Sequence, residues 1–326
     1  MVPVLTAILG GATALVPLTV AGAGAGERDT ILIGRKKVPY LSNRPLTYGD
    51  TNVTRAIIVI HGGDRILEEY YAPIVATIPA GPAPEEDWRR KTIVLAPYFQ
   101  EKSDAARDKH GWKGNWREGG SSDGISSYAV VDTLVARLRN GAFPNLKWIV
   151  ITGHSAGGQF VQRYAAFTDI DLKPEPNSAC VKFVPANPSS YVYLNEYRHG
   201  RDNNWIIPTK DCSSGDGYDE WKYGLKNLHG YAAARGAEFA RAHLPLRQIE
   251  LLAGTADVMT GEGFDKDCAA MWQGSTRFER AQLFKAFMDH FFPTNHLSLT
   301  AVPGVGHSGP GMYASPEGRK ALFFPD

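Results

Sequence analysis

Trp148-Ile149-Val150-Ile151-Thr152-Gly153-His154-Ser155-Ala156-Gly157-Gly158 is the stretch that decides the fold. Residues 148–152 form a near-continuous apolar run, the pattern of a strand buried on both faces. Residues 156–167 read as a helix that starts at once. A strand that becomes a helix across one residue needs a sharp turn. G-x-S-x-G in that context strains the serine backbone and exposes its Oγ. Gly153 and Gly157 flank Ser155 because a Cβ there would collide across so tight a turn. The helix N-terminus beneath Ser155 also favours developing negative charge. The same pattern recurs at Gly120-Ser121-Ser122-Asp123-Gly124, but no strand precedes it, so those serines are expected in a flexible loop.

Outward from this turn, strand and helix alternate. Ala56–Ile60 and Thr92–Ala96 are apolar runs before it, separated by a helix over 66–79. A polar Gly/Ser loop to about residue 123 leads into a helix over 125–139. After the turn come strands at 181–184, 247–253 and 297–302, with an amphipathic helix over 275–291. Unbroken apolar strands alternating with helices predict a mostly parallel sheet flanked by helices on both faces.

A serine hydroxyl needs a base, and the base needs an orienting acid. His307, in Gly304-Val305-Gly306-His307, follows the last strand, so a parallel sheet brings it to the same edge as Ser155. His290 and His296 precede that strand and belong to the opposite edge. His154 is expected to point away from the site, and His61 opens the loop after the first long strand. The strand over 181–184 leads into Asn187-Pro188, which offers no carboxylate. The strand over 247–253 leads into Gly254-Thr255-Ala256-Asp257, so Asp257 is the candidate acid, while Asp265 and Asp267 read as turn caps. The oxyanion needs two backbone N–H donors. Ala156 is one; the other comes from His61-Gly62-Gly63-Asp64, with Gly63 preferred over Asp64.

These four ordered elements, HGG, GHSAGG, GTAD and GVGH, resemble the α/β-hydrolase superfamily over residues ~30–324. The order Ser, Asp, His is that of this superfamily. Similar segments, GHSAGGQF, ANPSSY, WKYGL and VPGVGH, occur in secreted bacterial and fungal hydrolases. The resemblance implies a serine hydrolase acting on a carboxylic ester. An amidase or peptidase would use the same triad, and a non-catalytic binding protein on this fold is the third reading. No metal and no cofactor is expected, because neither a ligand cluster nor a dinucleotide motif is present.

Residues 188–245 leave the sheet and read as a cap inserted between core segments 26–187 and 246–326. Trp116, in the loop 112–122, and Tyr191, Trp205 and Trp221, in the cap, are candidate substrate-binding residues, with Asp64. Any one of the cap aromatics is more readily a member of the cap's own small core. Of the three cysteines, Cys212 and Cys268 both belong at the catalytic edge and are expected to pair. Cys180 begins a strand at the opposite edge and is expected to be buried and free.

The first 25 residues carry no charged side chain before Glu27 and end in AGAGAG, the pattern of a secretory signal peptide, although no Lys or Arg precedes the apolar run. Secretion fits the expected disulfide and the Asn52-Val53-Thr54 sequon. The 326 residues carry 35 Lys plus Arg against 34 Asp plus Glu. With 43% apolar and 21% charged residues, that balance excludes a disordered chain. It also argues against a nucleic-acid partner and suits a neutral ester, small or polymeric. No stable membrane insertion is expected once the signal is removed, and oligomeric state is not readable from the sequence.

Overall fold

Eight strands build one sheet: β1 (Glu27–Ile33), β2 (Lys36–Ser42), β3 (Arg55–Ile60), β4 (Thr92–Pro97), β5 (Trp148–His154), β6 (Cys180–Ala186), β7 (Gln248–Gly254) and β8 (Leu297–Val302). Their spatial order is β1-β2-β4-β3-β5-β6-β7-β8. The computed structural model describes residues 26–81, 87–172, 179–200, 202–209, 212, 217–261 and 263–324. The expected signal segment lies outside them.

β1 pairs antiparallel with β2, and β2 antiparallel with β4. From β4 to β8 every pairing is parallel. The central strands carry side chains into two cores. Ile57 and Val59 of β3 join Val94, Val150, Val184 and Leu252 on one face. Helices α1 (Leu67–Thr77), α5 (Gly309–Ala314) and α6 (Pro316–Phe323) cover that face. Ile58 and Ile60 join Leu95, Ile151 and Leu251 on the other, under α2 (Ser127–Arg139), α3 (Ala156–Phe167) and α4 (Arg277–Phe291). Burial on both faces is why these strands read as unbroken apolar runs.

The β1–β2 hairpin escaped that reading. The first four residues of β1, Glu27 to Thr30, are exposed, and only Ile31 and Ile33 reach the core. An edge strand wet for half its length has neither a continuous run nor a full alternation.

α3 is buried along its whole length, including Gln159, Gln162 and Arg163. Such groups require partners. The chain after β6 supplies them: Gln159 Nε2 donates to Ser190 Oγ at 2.9 Å, Arg163 Nη2 donates to the same oxygen at 2.9 Å, and the Gln162 amide bonds both backbone groups of Val192. The expected separate core of residues 188–245 is therefore corrected. Tyr191, Tyr193 and Trp221 pack into the sheet's own core, the tyrosines beside Phe284 and Phe287 and Trp221 against Phe167. Among the described residues a small cluster of Cys212, Tyr223, Ala269 and Ala270 stands apart from it.

Cys212 and Cys268 form a disulfide across 56 residues of chain. Cys180 is free, but it is exposed rather than buried. It is the first residue of β6, paired with Trp148 at the strand's outer end. No helix among the described residues is long and apolar enough to cross a membrane.

Breaking the disulfide with Cys212→Ser should lower unfolding free energy by about 4 kcal/mol, from the chain entropy of a loop this long. Urea unfolding of the variant against the wild type measures this; equal midpoints would show that the crosslink does not constrain the unfolded chain. The native protein should also release one maleimide-reactive thiol, at Cys180.

Candidate active site

Ser155 is the hinge between β5 and α3. Its φ of 57° and ψ of −115° lie outside the regions an L-residue ordinarily occupies. Close packing enforces the geometry. A Cβ on Gly157 would sit 2.3 Å from the Ile60 carbonyl oxygen, and one on Gly153 would sit 2.6 Å from that of Gly157. Ser155 N donates to Ala186 O at 3.0 Å, tying the turn to the end of β6.

His307 Nε2 lies 2.9 Å from Ser155 Oγ, and His307 Nδ1 lies 2.8 Å from Asp257 Oδ2. Three residues far apart in sequence thus form one hydrogen-bonded chain. The His307 side chain is 27% exposed, while that of Asp257 is fully buried. A buried carboxylate needs a counter-charge. Arg277 provides it, with Nη1 3.4 Å from Asp257 Oδ1. Burial pushes the Arg277 guanidinium down, and Asp257 opposes that shift. Phe264 lies 5.2 Å beneath the guanidinium. Arg277 was not anticipated, yet it left a trace: it is the first residue of α4, where the helix dipole disfavours a cation.

Ala156 opens α3, so its N–H has no intrahelical acceptor. Gly63 lies against it: a Cβ on Gly63 would be 3.8 Å from that of Ala156. The structure therefore brings Gly63 next to Ala156, the residue after Ser155. Asp64 turns elsewhere; its carboxylate accepts from Ile66 N at 3.3 Å and from the Tyr70 hydroxyl at 3.4 Å.

The Gly62-Gly63 loop is braced by two residues whose roles the sequence did not disclose. His61 is buried, with Nδ1 2.8 Å from Gly62 O and Nε2 accepting from Phe99 N at 3.2 Å. Arg65, at φ 60°, donates to Phe99 O at 2.7 Å and to Trp112 O at 3.1 Å. Trp116 supports the same loop, its ring 4.6 Å from that of His61.

The other candidate aromatics are spent on packing. Tyr191 is fully buried and stacks on Phe284 at 4.7 Å. Trp221 packs edge-on against Phe167, the last residue of α3, roughly 17 Å along the helix from Ser155. Trp205 packs against Phe287, His290 and Phe291. That places it at the end of α4 away from the Asp257 loop.

Two expectations need correction. Ser122 is not in a flexible loop. It is buried in a two-residue strand pair, where its Oγ accepts from Gly111 N at 3.1 Å and meets His110 Nδ1 at 3.2 Å. His154 does not point away from the site: its ring centroid is 4.6 Å from that of His307. Burial, then the neighbouring His307 and Arg277, hold His154 well below the ordinary histidine range.

No protein-family model matches the chain, and no curated protein matches it in sequence. Among solved structures it is similar to the poly(3-hydroxybutyrate) depolymerase LpqC from Bordetella parapertussis, with a TM-score of 0.58 and 22% identity over 88% of this chain and 87% of that one. It is also similar to poly(aspartic acid) hydrolase-1 from Sphingomonas sp. KT-1, with a TM-score of 0.55 and 19% identity over 88% of this chain and 94% of that one. With the strand order above, these likenesses define the architecture: the protein has the α/β-hydrolase fold.

Burial lowers the His61 pKa to about 4. An unfolded histidine titrates near 6.5, so below that pH the unfolded chain binds a proton that the folded one does not. Stability should therefore be intact above about pH 6.5 and fall progressively towards pH 4, with His61 contributing on the order of 3 kcal/mol. Urea unfolding across this range should show a shallower decline for His61→Gln. An identical slope in the variant would contradict the assignment.

Proposed function

We propose that this protein is a secreted serine hydrolase that cleaves a carboxylic ester through an acyl-enzyme. The observation that carries the reading is the hydrogen-bonded chain Ser155–His307–Asp257, set on a strained strand-to-helix turn. His307 takes the proton from Ser155 as Oγ attacks the carbonyl carbon. Asp257 holds the imidazole in the tautomer that leaves Nε2 free to accept, and stabilises the imidazolium that forms. The N–H groups of Ala156 and Gly63 receive the oxyanion, a term worth roughly a hundredfold or more in kcat per donor. His307 returns its proton to the leaving alkoxide, and water then hydrolyses the acyl-enzyme by the same steps.

The disulfide supports the secreted part of the reading, since such crosslinks persist in oxidising compartments. One of the two fold neighbours is named a depolymerase and the other a hydrolase, in keeping with hydrolysis. The substrate is a small or polymeric ester, and no cofactor is required. Segment 188–245 acts in this reading as the insertion beside the catalytic edge, with its disulfide fastening it to the loop that carries Asp257.

A fluorophosphonate probe should label the wild type and fail to label Ser155→Ala. Labelling that persists in Ser155→Ala and vanishes in Ser122→Ala would overturn the reading. p-Nitrophenyl esters assayed beside matching anilides should give turnover on the esters; preferential cleavage of the anilides would make the protein an amidase.

A further inference from the structure

The end of β6 looked uninformative because Asn187-Pro188 offers no carboxylate. In the structure Asn187 is 1% exposed and holds a left-handed φ of 43°, which is uncommon for a residue with a side chain. Its amide is spent on three chain segments. Oδ1 accepts from Gly254 N at 2.8 Å. Nδ2 lies 3.3 Å from His154 Nε2 and 3.3 Å from Gly306 O. Its own backbone N donates to Leu252 O at 2.9 Å.

The positions of these partners matter more than their number. His154 immediately precedes Ser155. Gly306 immediately precedes His307. Gly254 lies three residues before Asp257 and closes on it, because Asp257 N donates to Gly254 O at 3.0 Å. One buried amide therefore touches the segments that carry the serine, the base and the acid, each within one turn of the functional side chain.

We propose that Asn187 is a positioning residue that sets the mutual register of Ser155, Asp257 and His307. The inference rests on the serine-hydrolase reading above. Its physical basis is that the three catalytic groups sit on separate elements, so their spacing depends on whatever holds those elements at the sheet edge. The amide suits this task because it offers an acceptor and two donors within one planar group. It contacts no substrate-facing atom of the triad, and it is buried away from solvent, so it acts only through the segments it holds. The His154 ring, packed against that of His307, extends the support: Asn187 fixes His154 by Nε2, and His154 backs the imidazole that must move a proton.

The left-handed backbone would survive in Asn187→Gly, which removes the amide alone. Expected for this variant is a fall in kcat of between about ten- and a hundredfold, as for a small misplacement of reacting groups. KM should stay within about twofold, since no binding contact is lost. The rate of fluorophosphonate labelling should fall with kcat. The downfield proton resonance of the His307–Asp257 hydrogen bond should broaden or vanish. Asn187→Asp keeps the acceptor for Gly254 but sets a second acceptor against Gly306 O, and should show the same loss. Full activity in Asn187→Gly would overturn the proposal. So would a lowered melting temperature with kcat and the downfield proton unchanged. Full activity in Asn187→Asp alone would reduce Asn187 to a brace for Gly254 and also overturn it. If the probe does not label the wild type at Ser155, the serine-hydrolase reading falls; if it labels wild type and Asn187→Gly equally fast, only the positioning role falls.

Discussion

The backbone of Ser155 is held where an L-residue does not rest by itself, and the rest of the structure is organised to keep it there. Such a conformation costs on the order of 1–3 kcal/mol and persists only when its surroundings over-determine it. Each neighbour supplies a constraint. β3 passes so near that Gly157 has no room for a Cβ beneath the Ile60 carbonyl. β6 accepts the Ser155 N–H through Ala186. α3, buried on all sides, cannot tilt to relieve the turn. The parallel sheet, the buried helix and the glycines on either side of Ser155 are thus one arrangement seen at three scales.

That arrangement explains which features were legible in the sequence. Strands buried on both faces must be apolar throughout, so β3 to β7 announced themselves, and the glycine spacing marked the turn. The juxtaposition of Ser155, Asp257 and His307 followed because a parallel sheet sends the loops after β5, β7 and β8 to one edge. The disulfide followed from the same edge argument. What stayed hidden depends on neighbours that sequence spacing does not encode. Cys180 was placed at the correct end of β6, but strand order does not say whether that end is buried or exposed. Ser122 sits in a loop by composition, yet His110 and Gly111 bind its hydroxyl and bury it. The aromatics of segment 188–245 were visible as a group, but their partners, Phe284 and Phe287, lie on α4, which no local pattern joins to them.

The histidines illustrate the same limit in electrostatic terms. Position in the chain selects His307, whose Nε2 lies 2.9 Å from Ser155 Oγ, and says little about His61 and His154. His61 and His154 become intelligible only through burial. Both rings are kept uncharged, the first with each nitrogen bonded and the second packed beside a cation and a second imidazole. A charged ring at either place would add unpaired positive charge to a dry region, at several kcal/mol. Burial thus makes both imidazoles poor bases.

Arg277 completes that balance. Asp257 is fully buried, and burying a carboxylate is costly without a counter-charge. Arg277 supplies that counter-charge, but a cation would also oppose any positive charge on His307. Distance decides between these effects. The carboxylate oxygen is 2.8 Å from the His307 ring nitrogen, while the guanidinium stands behind the carboxylate, 3.4 Å from its other oxygen. Coulomb energy falls with separation, so the carboxylate dominates at the imidazole. The cation acts chiefly on Asp257, and Asp257 acts on His307. Such a series stays aligned only while the three loops that carry it are held together, as they are through Asn187 to His154, Gly306 and Gly254.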